Sequence, residues 1–172
     1  MEQRRDHSGL RSTEIVDGRL RLVLANTLAA VEDGRSEIMR FLGPLNAMAQ
    51  NRLEVLFEEL VSNTIRHGFA KGSGQSIHVQ VERGPDAVTL VFEDDGLPFD
   101  PTQAELPEGF TSAETARIGG LGLPLIVKLS SALRYEELSS RNDAGRNDAG
   151  FHPRNRTTVS VAAQSAAAEE DA

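Results

Sequence analysis

Two β-rich runs, SIHVQVE (Ser76–Glu82) and AVTLVFED (Ala87–Asp94), flank the turn-forming triplet Gly84-Pro85-Asp86. A connection this short cannot carry the chain back for parallel pairing, which needs a crossover of a dozen or more residues. The pair therefore reads as an antiparallel hairpin. The rest of the chain has to fold around a sheet that is at least partly antiparallel.

The flanking segments supply further strands and a helical layer. RLRLVL (Arg19–Leu24) alternates charged with apolar residues and reads as a strand. Thr27–Leu42 carries Leu28, Val31, Ile38, Phe41 and Leu42 at roughly helical spacing, and Gly43-Pro44 stops that helix. A second helix runs from about Leu45 to His67, with Leu53, Leu56, Leu60 and Thr64 along one stripe and Gly68 closing it. KGSG (Lys71–Gly74) is a turn. Thr102–Ile118 has no periodicity, and a loop that long inside a compact domain is usually functional or mobile. Leu121–Ser131 is a helix entered through a glycine-rich turn, with Pro124 tolerated in the first turn. Ala132–Leu138 and Thr157–Ala162 are the last two strands. Strand, two helices, hairpin, long loop, helix and hairpin imply an α/β (α+β) two-layer sandwich. Its sheet is mostly antiparallel and mixed, with helices on one face.

The chain is 172 residues long, which suits one domain. Residues 1–17 are polar and expected to be disordered, 18–162 form the domain, and 163–172 form a disordered tail. The direct repeat RNDAG-RNDAG (Arg141–Gly150) falls in a loop at about 139–156 and reads as a tolerated duplication at a loop tip. The absence of cysteine excludes disulfides, zinc–thiolate sites and cysteine nucleophiles. The four histidines show no metal-ligand spacing. A net charge of −8 disfavours direct nucleic-acid binding and suits a basic protein surface or a Mg²⁺-bound ligand. The N-terminal stretch is not expected to be a secretory signal, and no apolar run is long enough to span a bilayer. The expected location is the cytoplasm.

Three segments carry chemistry. In FEELVSNTIRHG (Phe57–Gly68), Glu59 and Asn63 are four residues apart. On a helix they differ by about 40° around the axis and about 6 Å along it, so they point the same way, and His67 continues the stripe. By itself this is an ordinary solvated helix face. Functionally, it is a carboxylate and an amide oxygen aimed at one ion, and Mg²⁺ takes such hard oxygen ligands. In EDDGLPFDP (Glu93–Pro101), Asp94-x-Gly96 follows a hydrophobic strand. That spacing is common in plain turns, yet a buried aspartate also accepts the exocyclic amine of adenine. In RIGGLGLPLI (Arg117–Ile126), glycines 119, 120 and 122 lead into a helix whose N-terminal N–H groups can hold an anion. No Gly-Lys-Ser/Thr follows, so this is not a Walker A loop, and the dinucleotide spacing is absent.

Taken in order, E-x-x-x-N on a helix, D-x-G after a strand and G-G-x-G before a helix resemble the N, G1 and G2 boxes of the GHKL ATPase superfamily. The resemblance covers about residues 18 to 162. EELVSNTIRHG, DDGLPFDP and GGLGLPLI look most like its anti-sigma-factor serine/threonine kinase branch. It implies the Bergerat-type ATP-binding fold, with ATP and Mg²⁺ as cofactors. It also implies Asn63 as the metal ligand, Glu59 as the general base, and Asp94 and Gly96 at the adenine. Gly119, Gly120 and Gly122 would meet the phosphates, with a flexible lid at about 102–118 from which Arg117 approaches the γ-phosphate. Thr157, at the start of the last strand, would support the adenine aspartate.

By the same resemblance the protein is expected to sequester a sigma factor, to phosphorylate a STAS-domain anti-anti-sigma partner and to form a homodimer through its first helix. The alternative is a non-catalytic ATP-binding switch of the same fold. A histidine-kinase catalytic unit needs a phosphoacceptor histidine on a dimerisation helix, and none lies between His7 and His67. A gyrase-like ATPase requires a lysine from a second domain and is not expected.

Overall fold

The computed structural model describes residues 9–69, 76–103, 122–138 and 153–163. Strands β1 (Leu10–Val16) and β2 (Arg19–Ala25) lead into helices α1 (Ala29–Leu42) and α2 (Ala47–Asn63), the latter prolonged by one π-helical turn, Thr64–Gly68. Strands β3 (Ser76–Arg83) and β4 (Ala87–Asp94) follow, then a short 3-10 turn at Pro101–Gln103, helix α3 (Gly122–Leu129), and strands β5 (Ala132–Glu137) and β6 (Asn155–Ala162). The six strands form one sheet in the order β1-β2-β3-β4-β6-β5. Every neighbouring pair is antiparallel, so the sheet described is not mixed.

The expected hairpin is β3–β4, with Val79 opposite Phe92 and Val81 opposite Leu90. Alternate residues of β2, β3, β4 and β6 are buried: Leu22, Leu24, Ile77, Val79, Leu90 and Val159 among them. They face Ile38, Leu53, Leu56 and Phe57 of the helices. The outer sheet face carries surface ion pairs such as Arg19–Glu82 and Arg156–Glu93. Such pairs contribute about 0–1 kcal/mol each, so the one-sided apolar core holds the two layers together.

Helix boundaries follow local chemistry. Asn46 caps α2 by accepting the Ala49 N–H at 2.7 Å, and this sets the start at Ala47. Gly43, with φ of 64°, ends α1 and returns its N–H to the Met39 carbonyl. Arg83 of β3 donates to the Leu42 and Pro44 carbonyls and ties that helix end to the sheet. Phe57 is 1% exposed, and its ring lies 6.1 Å from that of Phe92, joining the layers. Phe57→Ala is expected to lower unfolding stability by about 3–5 kcal/mol. The measure is a lower urea midpoint at unchanged m value.

Several expectations are corrected. The segment read as disordered through residue 17 contains strand β1, paired with β2 across a two-residue turn in which Asp17 and Gly18 both have positive φ. The turn chemistry forces the pairing. The largely exposed edge strand shows no alternation to betray it. The loop read as extending to residue 156 ends earlier, because Asn155 and Arg156 pair with Asp94 and Glu93 as the first residues of β6. Ala163, placed in the tail, is 8% exposed and donates its N–H to the Asp86 carbonyl. Leu28, counted on the apolar face of the first helix, precedes α1 and is exposed. Most of the lid segment, the glycines at 119 and 120 and the RNDAG repeat lie outside the described residues.

Candidate functional site

Three ends converge at one edge of the inner sheet face: the C-terminal end of α2, the C-terminal end of β4 and the N-terminal end of β6. Between them and α3 lies a cavity of about 660 Å³, within the usual range for small-ligand sites. Glu59, Asn63 and His67 border it from α2 and its extension, Asp94 and Thr157 from the sheet, and Gly122 from the start of α3. Apolar walls come from Leu60, Leu123 and Ile126, with Leu97, Pro98 and Phe99 at the side.

The helical spacing of Glu59 and Asn63 brings both onto the cavity. Burial raises the Glu59 carboxyl above the ordinary carboxylate range, the neighbouring Glu58 pushes the same way, and Arg66 opposes. Glu58 itself faces solvent. The Nδ2 of Asn63 is buried and has no hydrogen-bond partner among the described residues. An unsatisfied buried polar atom costs about 1–3 kcal/mol, and amide nitrogen and oxygen are interchangeable in assignment. This end of the side chain is therefore built for a partner from within the cavity. A Cβ added to Gly122 would collide with Oε2 of Glu59 and approach Nδ2 of Asn63 to 3.4 Å. Glycine here lets the start of α3 sit directly over both side chains.

The π-helical turn at Thr64–Gly68 carries the α2 end onto the loop after β4. Such widened turns recur at functional sites because they re-aim backbone and side chains within a helix. The Gly68 carbonyl accepts the Leu97 N–H at 2.8 Å. Gly96 fits beneath it, since a Cβ there would come to 2.5 Å from the Gly68 oxygen. Gly96 thus has a packing requirement of its own, apart from any contact with a ligand.

Asp94 sits in the floor of the cavity. Its Oδ1 accepts the Gly96 N–H at 2.8 Å and the Asn155 Nδ2–H at 2.8 Å. Burial is the main influence on its carboxyl and moves the pKa upward; the Asn155 and Gly96 donors pull it down, and Asp95 pushes it up. The direct hydrogen bond from the last strand to the Asp94 side chain comes from Asn155. The β4–β6 register sets Asn155 opposite Asp94 and Thr157 opposite Phe92, one pleat further along. Thr157 lines the cavity, while Asn155, 4% exposed, holds the carboxylate. Asn155 was missed by sequence reasoning. Its signal is phase: it shares the inward period of Thr157, Val159 and Val161, where a polar residue needs a partner. Arg117, Gly119 and Gly120 lie outside the described residues. No group of three or more metal-ligating acidic, histidine or cysteine side chains occurs among the described residues. None of their helices is long and apolar enough to cross a membrane.

A carboxylate with one oxygen engaged by protein donors offers its other oxygen to an amine or hydroxyl. A second carboxylate with a raised pKa, beside an unpartnered amide, suits proton transfer next to a polar ligand group. The arrangement reads as a site for a ligand with an amine-bearing end and a highly polar opposite end.

Residues 24–146 match the family model of the histidine kinase-like ATPase domain. The serine/threonine-protein kinase BtrW of Bordetella bronchiseptica is 32% identical over 90 residues, covering 52% of this chain and 63% of that protein. The similarity thus spans less than two thirds of that relative's length. Among solved structures, the histidine kinase domain of a blue-light activated histidine kinase from Erythrobacter litoralis overlaps 80% of this chain and 61% of that chain, at 15% identity and a TM-score of 0.42.

Proposed function

The chain belongs to the histidine kinase-like ATPase domain family, and from that premise we propose that it is an ATP-dependent serine/threonine protein kinase that also acts as an anti-sigma factor. ATP as the nucleotide follows from the family. The observation that carries the reading is that Asp94, Asn63 and Glu59 open on one cavity, with an amine acceptor at one end and an unpartnered amide and a candidate base at the other. The identity with a relative named as a serine/threonine kinase supports a protein hydroxyl as phosphate acceptor.

In this reading Asp94 accepts the adenine amine and Thr157 borders the base, while Gly96, proposed at the adenine, is packed beneath the Gly68 carbonyl beside it. Gly122, with Gly119 and Gly120, meets the phosphates, and Arg117 contributes from the lid. Asn63 would hold Mg²⁺ through its amide oxygen, with the amide turned so that the oxygen takes the unpartnered position beside Gly122; the ion would supply charge neutralisation for the phosphates. Glu59 takes the proton from the serine or threonine hydroxyl as its oxygen bonds to the γ-phosphorus and the bond to the β,γ-bridging oxygen breaks, with ADP leaving. The acceptor is a STAS-domain anti-anti-sigma protein, and the sequestered partner is a sigma factor whose basic surface complements the net charge of −8. In this reading the protein acts as a homodimer through its first helix, in the cytoplasm.

The test is calorimetric titration with MgATP followed by labelled phosphate transfer to STAS-domain proteins. Submillimolar binding with label on serine or threonine is expected. Binding without transfer to any acceptor would move the reading to a non-catalytic ATP-binding switch. No binding would overturn both.

A further inference from the structure

We propose that Tyr135 and Asn155 are positioning residues that orient the carboxylate of Asp94 and set the preference of this site for 6-amino over 6-oxo purine nucleotides. The inference rests on the nucleotide reading above.

Asn155 is fixed from both ends. Its Nδ2 donates to Asp94 Oδ1 at 2.8 Å, to the Gly96 carbonyl at 3.2 Å and to the Leu97 carbonyl at 3.3 Å. Its Oδ1 accepts from the Tyr135 hydroxyl at 2.8 Å. Donors and acceptors run in one direction, from Tyr135 through Asn155 to Asp94. Flipping the amide would set its oxygen against three acceptor oxygens, so only one orientation satisfies the network.

The consequence reaches the ligand. With Oδ1 held by Asn155 and Gly96, Oδ2 is the oxygen left for a base. An ionised carboxylate only accepts, so it suits an amine. A protonated carboxyl also donates, and can then serve a 6-oxo group. Burial favours the protonated form, and the donors on Oδ1 oppose it. The Tyr135–Asn155 pair therefore fixes where Asp94 points and opposes the protonation that burial favours. Asn155 lies beyond the stretch that matches the family model, which ends at residue 146.

The titratable groups around Asp94 are Asp95 beside it, Asp100 in the next turn, and Tyr135 and Glu137 of β5. Glu59, Arg66 and His67 lie across the cavity. Substitution of Asn155, or of Tyr135 by phenylalanine, leaves all the charged groups in place. Any movement of the pH midpoint then reports the altered donor on Asp94.

The experiment measures Kd for ADP and for inosine diphosphate from pH 5 to pH 8 in the wild type, Tyr135→Phe and Asn155→Ser. The wild type is expected to prefer ADP by at least about tenfold, the worth of one lost hydrogen bond. In Tyr135→Phe the preference falls by about threefold or more, and the pH at which ADP affinity is lost moves upward; Asn155→Ser shows both effects more strongly. Tyr135→Phe keeps the ring and preserves the test if Asn155→Ser does not fold. If the wild type binds ADP and the variants keep its preference and pH midpoint, the inference is overturned and the nucleotide reading stands. Equal weakening for both nucleotides at an unchanged midpoint assigns the pair to loop support alone and also overturns it. If the wild type binds neither, the nucleotide reading fails and takes the inference with it.

Discussion

Asp94→Asn is expected to weaken ATP and ADP binding by at least about 100-fold while leaving the melting temperature of the free protein unchanged or higher. A hydrogen bond to a charged group contributes about 1.5–3 kcal/mol, and the substitution does worse than delete it. Gly96 N–H and Asn155 Nδ2–H both donate to Oδ1 of Asp94, so an asparagine at 94 keeps its oxygen there. Its NH₂ then turns toward the base, donor against donor. The stability side runs the other way. The carboxyl of Asp94 has a raised pKa, chiefly from burial. Its ionised form is penalised in the folded state, and that cost is present above the folded pKa and fades as pH falls through it. A neutral amide removes the cost. Calorimetric titration paired with thermal melts checks both arms. Binding retained within about threefold would remove Asp94 from the base-recognition role.

Glu59→Gln is expected to lower phosphate transfer to the protein acceptor by about 10²–10⁴-fold, the usual contribution of a positioned general base. MgATP affinity should stay within about threefold. Glutamine preserves the side-chain volume over which Gly122 packs, so the loss reports the missing base and not a collapsed wall. The pH dependence has a definite sign. Burial first and Glu58 second raise the Glu59 pKa, with Arg66 opposing. Transfer should therefore increase with pH as Glu59 loses its proton, with an inflection above the ordinary carboxylate range, and the variant should lack that limb. Single-turnover transfer from labelled ATP at several pH values measures it. Unchanged transfer would assign the proton to another acceptor.

Much of this site was legible because its key residues are placed by short-range geometry. Glu59 and Asn63 share a helix face by the repeat of the helix alone, and Gly96 follows Asp94 at a strand end. Local turn chemistry was equally informative where it was read, as at Gly43-Pro44. Where it was passed over, an element was lost: Asp17-Gly18 is a strong hairpin signal, and it marks the edge strand β1 that polar composition concealed. The π-helical turn after Asn63 left no such mark. It exists where the helix end docks its Gly68 carbonyl on the Leu97 N–H.

The sequence by itself determined the helical layer, the central hairpin, the inward apolar phase of the strands and the pairing of Glu59 with Asn63. Each of these depends on periodicity within a few turns or a few pleats. Tertiary structure alone decided which side chain holds Asp94. Asn155 is 61 residues away, and it meets that carboxylate only because β6 enters between β4 and β5 in one register. A shift of one residue would turn Asn155 to the other face of the sheet. Register between distant strands is settled by the packing of the whole inner face, and no local pattern of residues encodes it.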